Sequence, residues 1–440
     1  MFQVLNDDLL IQLFEQLRPG KGLRALSSTC RSLREAAIPI LFKRCRVKIY
    51  TSSLKSRHFP PMSLWPYVRY LRQSSSFSAT LSSKDRLVCG VFDGSFLKEA
   101  LQAMPQLYSV TLTMDYDIDV YGTPINVLHG LCWESFEMFL SLPRLCEFFV
   151  NGFSFCPRRF PQSEARAASG SLAPLTSFRF SQDQSRRPPR SYPAEHDVLV
   201  FVIETLHSTL EFLELPIESA PLDALSSLSW PRLRELRLSG EYPDVGLPAS
   251  LVSVVSNMPK LRVLALHFAL PNGMSRPLLL PRGSSIPFAC NELTDLSISF
   301  PDPHDAIYDN LPQTLRRLSL RCCPHHCLQH WDPNHSVPWR WHSPILSASE
   351  LIHILRRCNT PSLDHFQVEY VADSADPDVL STMAFAFPVL RSLEMSRFKE
   401  PGGNDVSIVR LAPCFVLCAN AMANSHRDPC RRSSLDRWRS

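Results

Sequence analysis

The chain has 440 residues, a formal net charge of +4, and 45% hydrophobic against 20% charged residues. This length exceeds the ~250–300 residues of one compact core, so it predicts several domains or a repeat array, and the ordinary apolar fraction excludes disorder throughout. Leucine is abundant at 62 residues, and 37 prolines accompany only 14 glycines, which excludes a collagen-like chain and most flexible linkers.

Patterns of charge and hydropathy indicate which classes of partner and which cellular compartment to expect. Net charge is +7 over residues 1–60, but no zinc-finger spacing or aromatic–basic motif accompanies it, so we expect no nucleic-acid partner. The longest clear apolar run, Val198 to Ile203, is far shorter than the ~18 residues of a membrane span, and we expect no membrane partner. No secretion signal is recognisable, and the 14 cysteines form no regular framework. We therefore expect reduced thiols and a cytoplasmic or nuclear protein.

The first 48 residues predict a helical segment with more apolar side chains than so small a unit can bury. Three groups recur at helical spacing, over residues 9–17, 23–37 and 38–42. Asn6, Asp7 and Asp8 can cap the first helix, and the sequence RPGKG ends it. The apolar surplus predicts a partner surface.

This segment resembles the F-box. VLNDDLLIQLFEQL matches the first part of the motif, LRALSSTCRSLREAA the second and PILFKR its end, with Asn6 in place of the usual Pro and Leu33 in place of Trp or Phe. The resemblance implies docking to the SKP-family adaptor of an SCF-type ubiquitin ligase, and through it to cullin. The candidate adaptor-binding residues are Leu5, Leu9, Leu10, Leu13, Phe14, Leu23, Leu26, Cys30 and Leu33. The sequence does not separate the residues that face the adaptor from those that face the module's interior, and a helical cap on the next domain is the alternative.

A unit of the form Leu-x-x-Leu-x-Leu recurs ten times from residue 107 onward, with a weak eleventh copy around Val68 to Leu71. The ten copies begin at residues 107, 145, 175, 210, 233, 261, 293, 315, 363 and 390. A proline often stands two residues before the first Leu, and a helix-like segment precedes it, as in FLKEALQAM. Because Pro ends helices and leads into extended chain, each unit is predicted to run from helix through a Pro stop to a short strand.

These units resemble leucine-rich repeats. The resemblance implies an α/β fold, with an N-terminal three-helix F-box followed by a horseshoe-shaped solenoid that has a parallel sheet on its concave face and helices on its convex face. We predict an F-box at 1–48, a linker with the first irregular repeats at 49–105, the solenoid at 106–412, and a cap and disordered tail at 413–440. The segment DVSIVRLAPCFVLCANAM, residues 405–422, is predicted to be a last helix.

Strand alternation predicts which residues leave the core of the repeats. If the second and third leucines point inward, the side chains between them line the other face of the sheet, where an unidentified target protein would bind. The candidates are Glu235, Arg237, His267, Asp295, Ser297, Arg317, Gln367 and Glu394. A solvated face without a ligand is the alternative for any single residue.

One cluster has the residue types of a metal site, and no motif indicates an enzyme. Cys322, Cys323, His325, His326, Cys327 and His330 are possible zinc ligands, but they are more crowded than in structural zinc fingers, so a loop role is favoured and no cofactor is expected. Phosphate-binding, nucleophile-elbow and metalloprotease motifs are missing from the sequence. The hypotheses are a substrate receptor of an SCF-type ligase, a repeat scaffold outside any ligase, and a zinc-dependent binding module.

Overall fold

The computed structural model describes residues 7–17, 21–49, 59–77, 95–116, 131–153, 155, 173–181, 193–243, 251–270, 273–284, 288–322, 344–398 and 406–411. The chain divides into two compact units, Met1–Leu210 and Glu211–Ser440. They are called the N-terminal unit and the C-terminal unit below.

The N-terminal unit begins with three helices, α1 (Asp7–Leu17), α2 (Gly22–Ser27) and α3 (Arg31–Leu41). These helices enclose a core of their own, formed by Phe14, Leu23, Leu33, Ala37 and Ile40. We call residues 7–41 the helical module.

The helix boundaries in this module differ from the prediction for residues 23–42. The second predicted group is divided between α2 and α3, and the third belongs to α3, which continues through Pro39. The break follows from three consecutive hydroxyls: Ser27, Ser28 and Thr29 each donate to the carbonyl three residues earlier. Such local bonds compete with helix continuation, and Cys30 is extended.

A parallel sheet follows in the N-terminal unit. Its strands are β1 (Arg44–Ile49), β2 (Tyr70–Phe77), β3 (Ser109–Tyr116), β4 (Glu147–Asn151) and β5 (Ser177–Ser181), and they pair in chain order. The helices are α4 (Ser95–Gln102), α5 (Trp133–Leu140) and α6 (Pro193–Leu206), with a 3₁₀ helix at Met62–Tyr67. Each parallel neighbour is reached by a crossover, as parallel pairing requires.

The C-terminal unit repeats this arrangement. Its elements in chain order are β6 (Phe212–Pro216), α7 (Leu222–Ser227), β7 (Glu235–Glu241), α8 (Leu251–Ser256), β8 (Val263–Ala269), β9 (Asp295–Ile298), β10 (Arg317–Leu320), β11 (Leu346–Ser347), α9 (Ala348–Arg357), β12 (His365–Val371), α10 (Val379–Ala386), β13 (Ser392–Phe398) and β14 (Val406–Leu411). Short 3₁₀ helices lie at Ala306–Asp309 and Asp376–Asp378. The strands from β6 to β13 are parallel, with β11 added beside β12.

All ten repeat motifs coincide with strands, each beginning two residues after the first Leu of its motif, and the weak eleventh copy coincides with β2. The proline before several motifs occupies the second position of a tight turn that joins helix to strand. The N–H of Leu107 donates to the carbonyl of Met104 across Pro105, and Leu261 donates to Met258 across Pro259. Pro favours this turn position because its φ is fixed near the required value.

Burial alternates along β4, β7 and β9 as the motif predicts, whereas β6 and β8 are buried at most positions. In β7, Leu236 and Leu238 are at most 1% exposed and Arg237 between them is exposed. Burial of a leucine side chain contributes about 1.5–3 kcal/mol, so each repeat buries its leucines against its neighbours and helices. Both units are therefore α/β with parallel sheets, consistent with stacked leucine-rich-repeat-like units.

The end of the described chain corrects the predicted last helix. Residues Val406–Leu411 form β14, which pairs antiparallel with β13. The run VSIVRL is too short to separate helix from strand by periodicity, and the free edge of β13 supplies hydrogen-bonding groups. The rest of the predicted helix lies outside the described residues.

Candidate protein-interaction surfaces

The helical module presents apolar side chains beyond those its core uses. Leu9 is 53% exposed and Ile11 is 51% exposed on α1, and Leu13 is half-buried. Successive residues are about 100° apart around a helix, so Leu9 and Leu13 lie on one flank of the buried stripe and Ile11 lies on the other. The apolar arc of α1 is therefore wider than the module's own core.

The structure separates the candidate adaptor-binding residues into two sets. Phe14, Leu23 and Leu33 lie inside the core, with Leu10 and Leu26 packed against it, so the first three cannot contact a partner directly. Leu9 and Cys30 are exposed, and Leu5 lies outside the described residues. Ile11 is not among the residues predicted from sequence, because its exposure follows only from the position of the buried stripe of α1.

The polar face of the C-terminal sheet gathers the residues predicted to bind a target. Sheet register places Glu235, Asp295 and Arg317 in one row across the strands. The next row contains Arg237, Ser297, Gln367 and Glu394. His267 lies beside Ser239, two residues further along. We call this surface the polar rows, and its role in target binding stays a prediction.

Most of the polar rows are joined by side-chain bonds. Arg317 is ion-paired with Asp295 and Arg237 with Glu235. Gln367 donates from Nε2 to Glu394 at 3.1 Å. These links fix the charges of both signs in a defined mosaic, which suits recognition of a polar protein surface.

The surroundings of His267 in the polar rows disfavour its protonation. Its Nε2 lies 2.8 Å from the Ser297 hydroxyl. Burial first, and the nearby Arg237 second, lower the pKa of His267 to about 4. The imidazole is therefore neutral at physiological pH and contributes a hydrogen-bonding group rather than a charge.

A shallow open groove of about 360 Å³ borders the polar rows where the strands begin. Its lining residues are Thr294, Asp295, Arg316, Arg317, Asp364 and His365. Thr294, Arg316 and Asp364 immediately precede strands. Their place in the groove could not be predicted from sequence, because strand alternation orients only the residues within a strand.

The candidate zinc ligands are represented in the structure by Cys322 alone. Its thiol is buried, its Sγ lies 3.7 Å from the carbonyl oxygen of Pro344, and burial raises its pKa strongly. Cys323, His325, His326, Cys327 and His330 lie outside the described residues. Within the described ranges, no group of three or more Cys, His, Asp or Glu residues could hold a metal ion.

The sequence and the structure were compared with protein families, curated proteins and solved structures. No protein-family model matches the sequence, and no curated protein matches it either. Among the helices of the described ranges, none has the length and hydropathy needed to cross a membrane. Among solved structures, a chain in the crystal structure of the Rad7 and Elc1 complex in yeast is similar, with 13% identity over 88% of this chain and 87% of that chain and a TM-score of 0.33. A likeness this weak indicates neither a shared fold nor a shared function.

Proposed function

We propose that this protein is the substrate-recognition subunit of an SCF-type ubiquitin ligase. Its helical module would dock the SKP-family adaptor, which connects it to cullin, and its repeat sheet would bind the target protein. Ubiquitin transfer would be carried out by other subunits, and this chain would contribute proximity and orientation rather than catalytic groups. The location that suits this role is the cytoplasm or the nucleus.

The observation that supports the proposal most is the exposed apolar surface of α1. Phe14, Leu23 and Leu33 close the module's interior, yet Leu9 and Ile11 remain about half exposed on either side of that buried stripe. An amphipathic helix whose apolar arc is wider than its own core requires is typical of helix–groove recognition. The resemblance of residues 4–44 to the F-box motif favours the same partner.

The polar rows support the second half of the proposal. The rows combine Arg, Asp, Glu, Gln, Ser and His on one sheet face, opposite the buried leucines. Charged pairs on such a face contribute specificity and association rate more than affinity, as expected for a surface that selects one target.

Adaptor binding is tested by a pull-down of the purified full-length chain with a SKP-family adaptor. The double variant Leu9→Asp with Ile11→Asp is expected to lose binding at least about tenfold, because two apolar contacts are replaced by charges. Gln102→Asp is the control, since Gln102 is an exposed polar residue of α4, outside the helical module. That variant should bind like the wild type.

Two outcomes would reject the ligase role. One is the failure of the wild-type chain to bind the adaptor, and the other is equal binding by the Leu9→Asp, Ile11→Asp variant. Either result would favour a repeat scaffold outside a ligase.

A further inference from the structure

The first strand of the N-terminal sheet carries a cation at every second position. Arg44, Arg46 and Lys48 alternate with Cys45 and Val47 along β1. The three cations are exposed, whereas Val47 is 1% exposed. Since alternate residues of a strand share one face, the three positive side chains lie on the face opposite the buried core.

Strand β2 adds a fourth cation to this face. Arg72 is the direct register partner of Arg46 and is also exposed. Like charges directly opposite each other destabilise a sheet. Among the residues that the structure describes, no carboxylate forms an ion pair with Arg44, Arg46, Lys48 or Arg72. The described part of the chain therefore contains a concentration of positive charge that no ion pair within it neutralises.

An aromatic contact orients part of this surface. The Arg44 guanidinium lies 5.3 Å from the centre of the Tyr70 ring, and Tyr70 is its register partner on β2. A guanidinium held on an aromatic face keeps its N–H donors available at the ring's margin. Arg44 can thus bind an anion without first breaking an ion pair to any carboxylate of the described residues.

The neighbouring strands β3, β4 and β5 limit how far this cationic surface extends across the sheet. The positions of β3 on the same face are Ser109, Thr111, Thr113 and Asp115. At the positions of β3, β4 and β5 on this face, the carboxylate residues among those described are Asp115 on β3 and Glu147 on β4. The cationic surface is therefore two strands wide, and β3 beside it carries three hydroxyl residues and, at its far end, the acidic residue Asp115.

We propose that this cationic strip, formed by Arg44, Arg46, Lys48 and Arg72, binds an extended acidic segment of a partner protein. Same-face side chains along β1 are about 6.6 Å apart. An extended peptide has the same two-residue repeat, so acidic groups at alternate positions would each lie beside one cation. A strip about 13 Å long suits three to five peptide residues better than a nucleic-acid interface, which buries at least about 600–1,000 Å² of protein.

The strip goes beyond the proposed ligase role, and its residues are different from Leu9, Ile11 and the polar rows. It can therefore bind an acidic segment whether or not the helical module binds an adaptor. The acidic groups could be glutamates or phosphoserines, since both present anionic oxygens to Arg and Lys.

The test is fluorescence anisotropy of the full-length chain with three labelled probes. They are a nine-residue peptide with glutamate at alternate positions and serine between, its counterpart with phosphoserine in place of glutamate, and a nine-nucleotide single-stranded DNA of mixed sequence. The wild type is expected to bind at least one peptide more tightly than the DNA. Binding should weaken as salt is raised from about 50 to about 300 mM, because exposed charges are screened.

Charge reversal identifies the residues. Arg46→Glu with Arg72→Glu is expected to weaken peptide binding at least about tenfold, whereas Lys260→Glu with Arg232→Glu, a reversal of two exposed cations in the C-terminal unit, should change it less than about twofold. Arg46→Gln with Arg72→Gln removes the like-charge pair, so it should be at least as thermally stable as the wild type and still bind more weakly.

Three results would overturn the proposal. They are the lack of saturable binding to both peptides, tighter binding to the DNA than to either peptide, and equal losses in the strip variants and the C-terminal control. None of these results bears on adaptor binding, which is measured with Leu9 and Ile11 variants.

Discussion

Arg321 donates from Nε to Oε1 of Glu369 at 3.2 Å, and the Glu369 side chain is 2% exposed. Oε2 of Glu369 also accepts the backbone N–H of Cys322, at 3.1 Å. Arg321 also lies 3.5 Å from Glu394. One guanidinium thus connects the end of β10 to carboxylates on β12 and β13, next to the polar rows.

Removing that guanidinium is predicted to destabilise the C-terminal unit. Arg321→Ala leaves a nearly buried carboxylate without its ion pair to this residue, which should cost about 3 kcal/mol of unfolding free energy. Arg317→Ala is the control, because Arg317 is 66% exposed in its pair with Asp295, and its loss should cost under about 1 kcal/mol. Urea unfolding followed by circular dichroism measures both, and equal costs would contradict the assignment of a structural role to Arg321.

The pKa of His267 predicts a loss of stability in mild acid. The folded state keeps the imidazole neutral down to about pH 4, whereas an unfolded histidine takes up a proton below about pH 6.5. The stability that His267 contributes is therefore complete above pH 6.5 and is lost as the pH falls from there toward 4. Lowering the pH from 7.5 to 5 should remove up to about 2 kcal/mol through this residue.

His267→Gln separates this effect from other titrations. Glutamine retains a hydrogen-bonding group near Ser297 but does not titrate in this range. The difference in unfolding free energy between pH 7.5 and pH 5 should therefore be smaller in the variant than in the wild type. Identical pH profiles would mean that His267 is not held neutral in the folded protein.

The repeat strands could be predicted from sequence because the leucines that define them are also the residues that are buried. In β7, Leu236 and Leu238 satisfy the motif and are the buried side chains, so one pattern indicates both the strand and its orientation. The pairing of Arg321 with Glu369 could not be predicted this way. These residues are 48 positions apart, and their contact depends on β12 following β10 in the sheet across the intervening segment.

The candidate binding residues show the same limit. The positions of the polar rows follow from alternation, whereas the exposure of Ile11 depends on how α1 rotates against α2 and α3. An apolar side chain in a short helix can be buried in the module's own core or exposed to a partner, and only the packing of the helices shows which.

Replacing Gly240 by a residue with a side chain is predicted to destabilise the C-terminal unit. Its φ is +128°, and a Cβ at this position would lie 2.7 Å from Cδ of Glu218, whose Oε1 accepts the N–H of Glu241 at 2.8 Å. Gly240→Ala should cost about 2–3 kcal/mol, from backbone strain and displacement of this carboxylate.

Gly273 and Gly283 are the matched controls for Gly240. Both have a positive φ, but a Cβ would meet nothing within 4 Å, so alanine there should cost only about 1 kcal/mol. Thermal unfolding of the three variants separates the cost of backbone strain, which all three share, from the cost of displacing the Glu218 carboxylate, which applies only at Gly240. An equal loss at all three glycines would show that the Glu218 contact is unimportant.

Arg357 at the end of α9 is predicted to fasten the 3₁₀ segment at Ala306–Asp309. Its guanidinium donates to the carbonyls of Pro303 and Asp305 at 2.5 and 2.6 Å and to Oδ1 of Asp309 at 2.9 Å. It also lies 5.9 Å from the centre of the Tyr308 ring. The hydrogen bond from Arg357 lowers the pKa of Asp309.

Replacing Arg357 by Ala should cost about 2–3 kcal/mol, because two backbone carbonyls lose a charged donor. Arg357→Lys should recover little, since a single ammonium cannot reproduce the planar fork that reaches several acceptors together. Arg356→Ala is the control: this residue is exposed on the same helical turn, and its replacement should cost under about 0.5 kcal/mol. Urea unfolding of the three variants decides the point, because full recovery by lysine would show that the charge alone, rather than the geometry of the guanidinium, holds this segment.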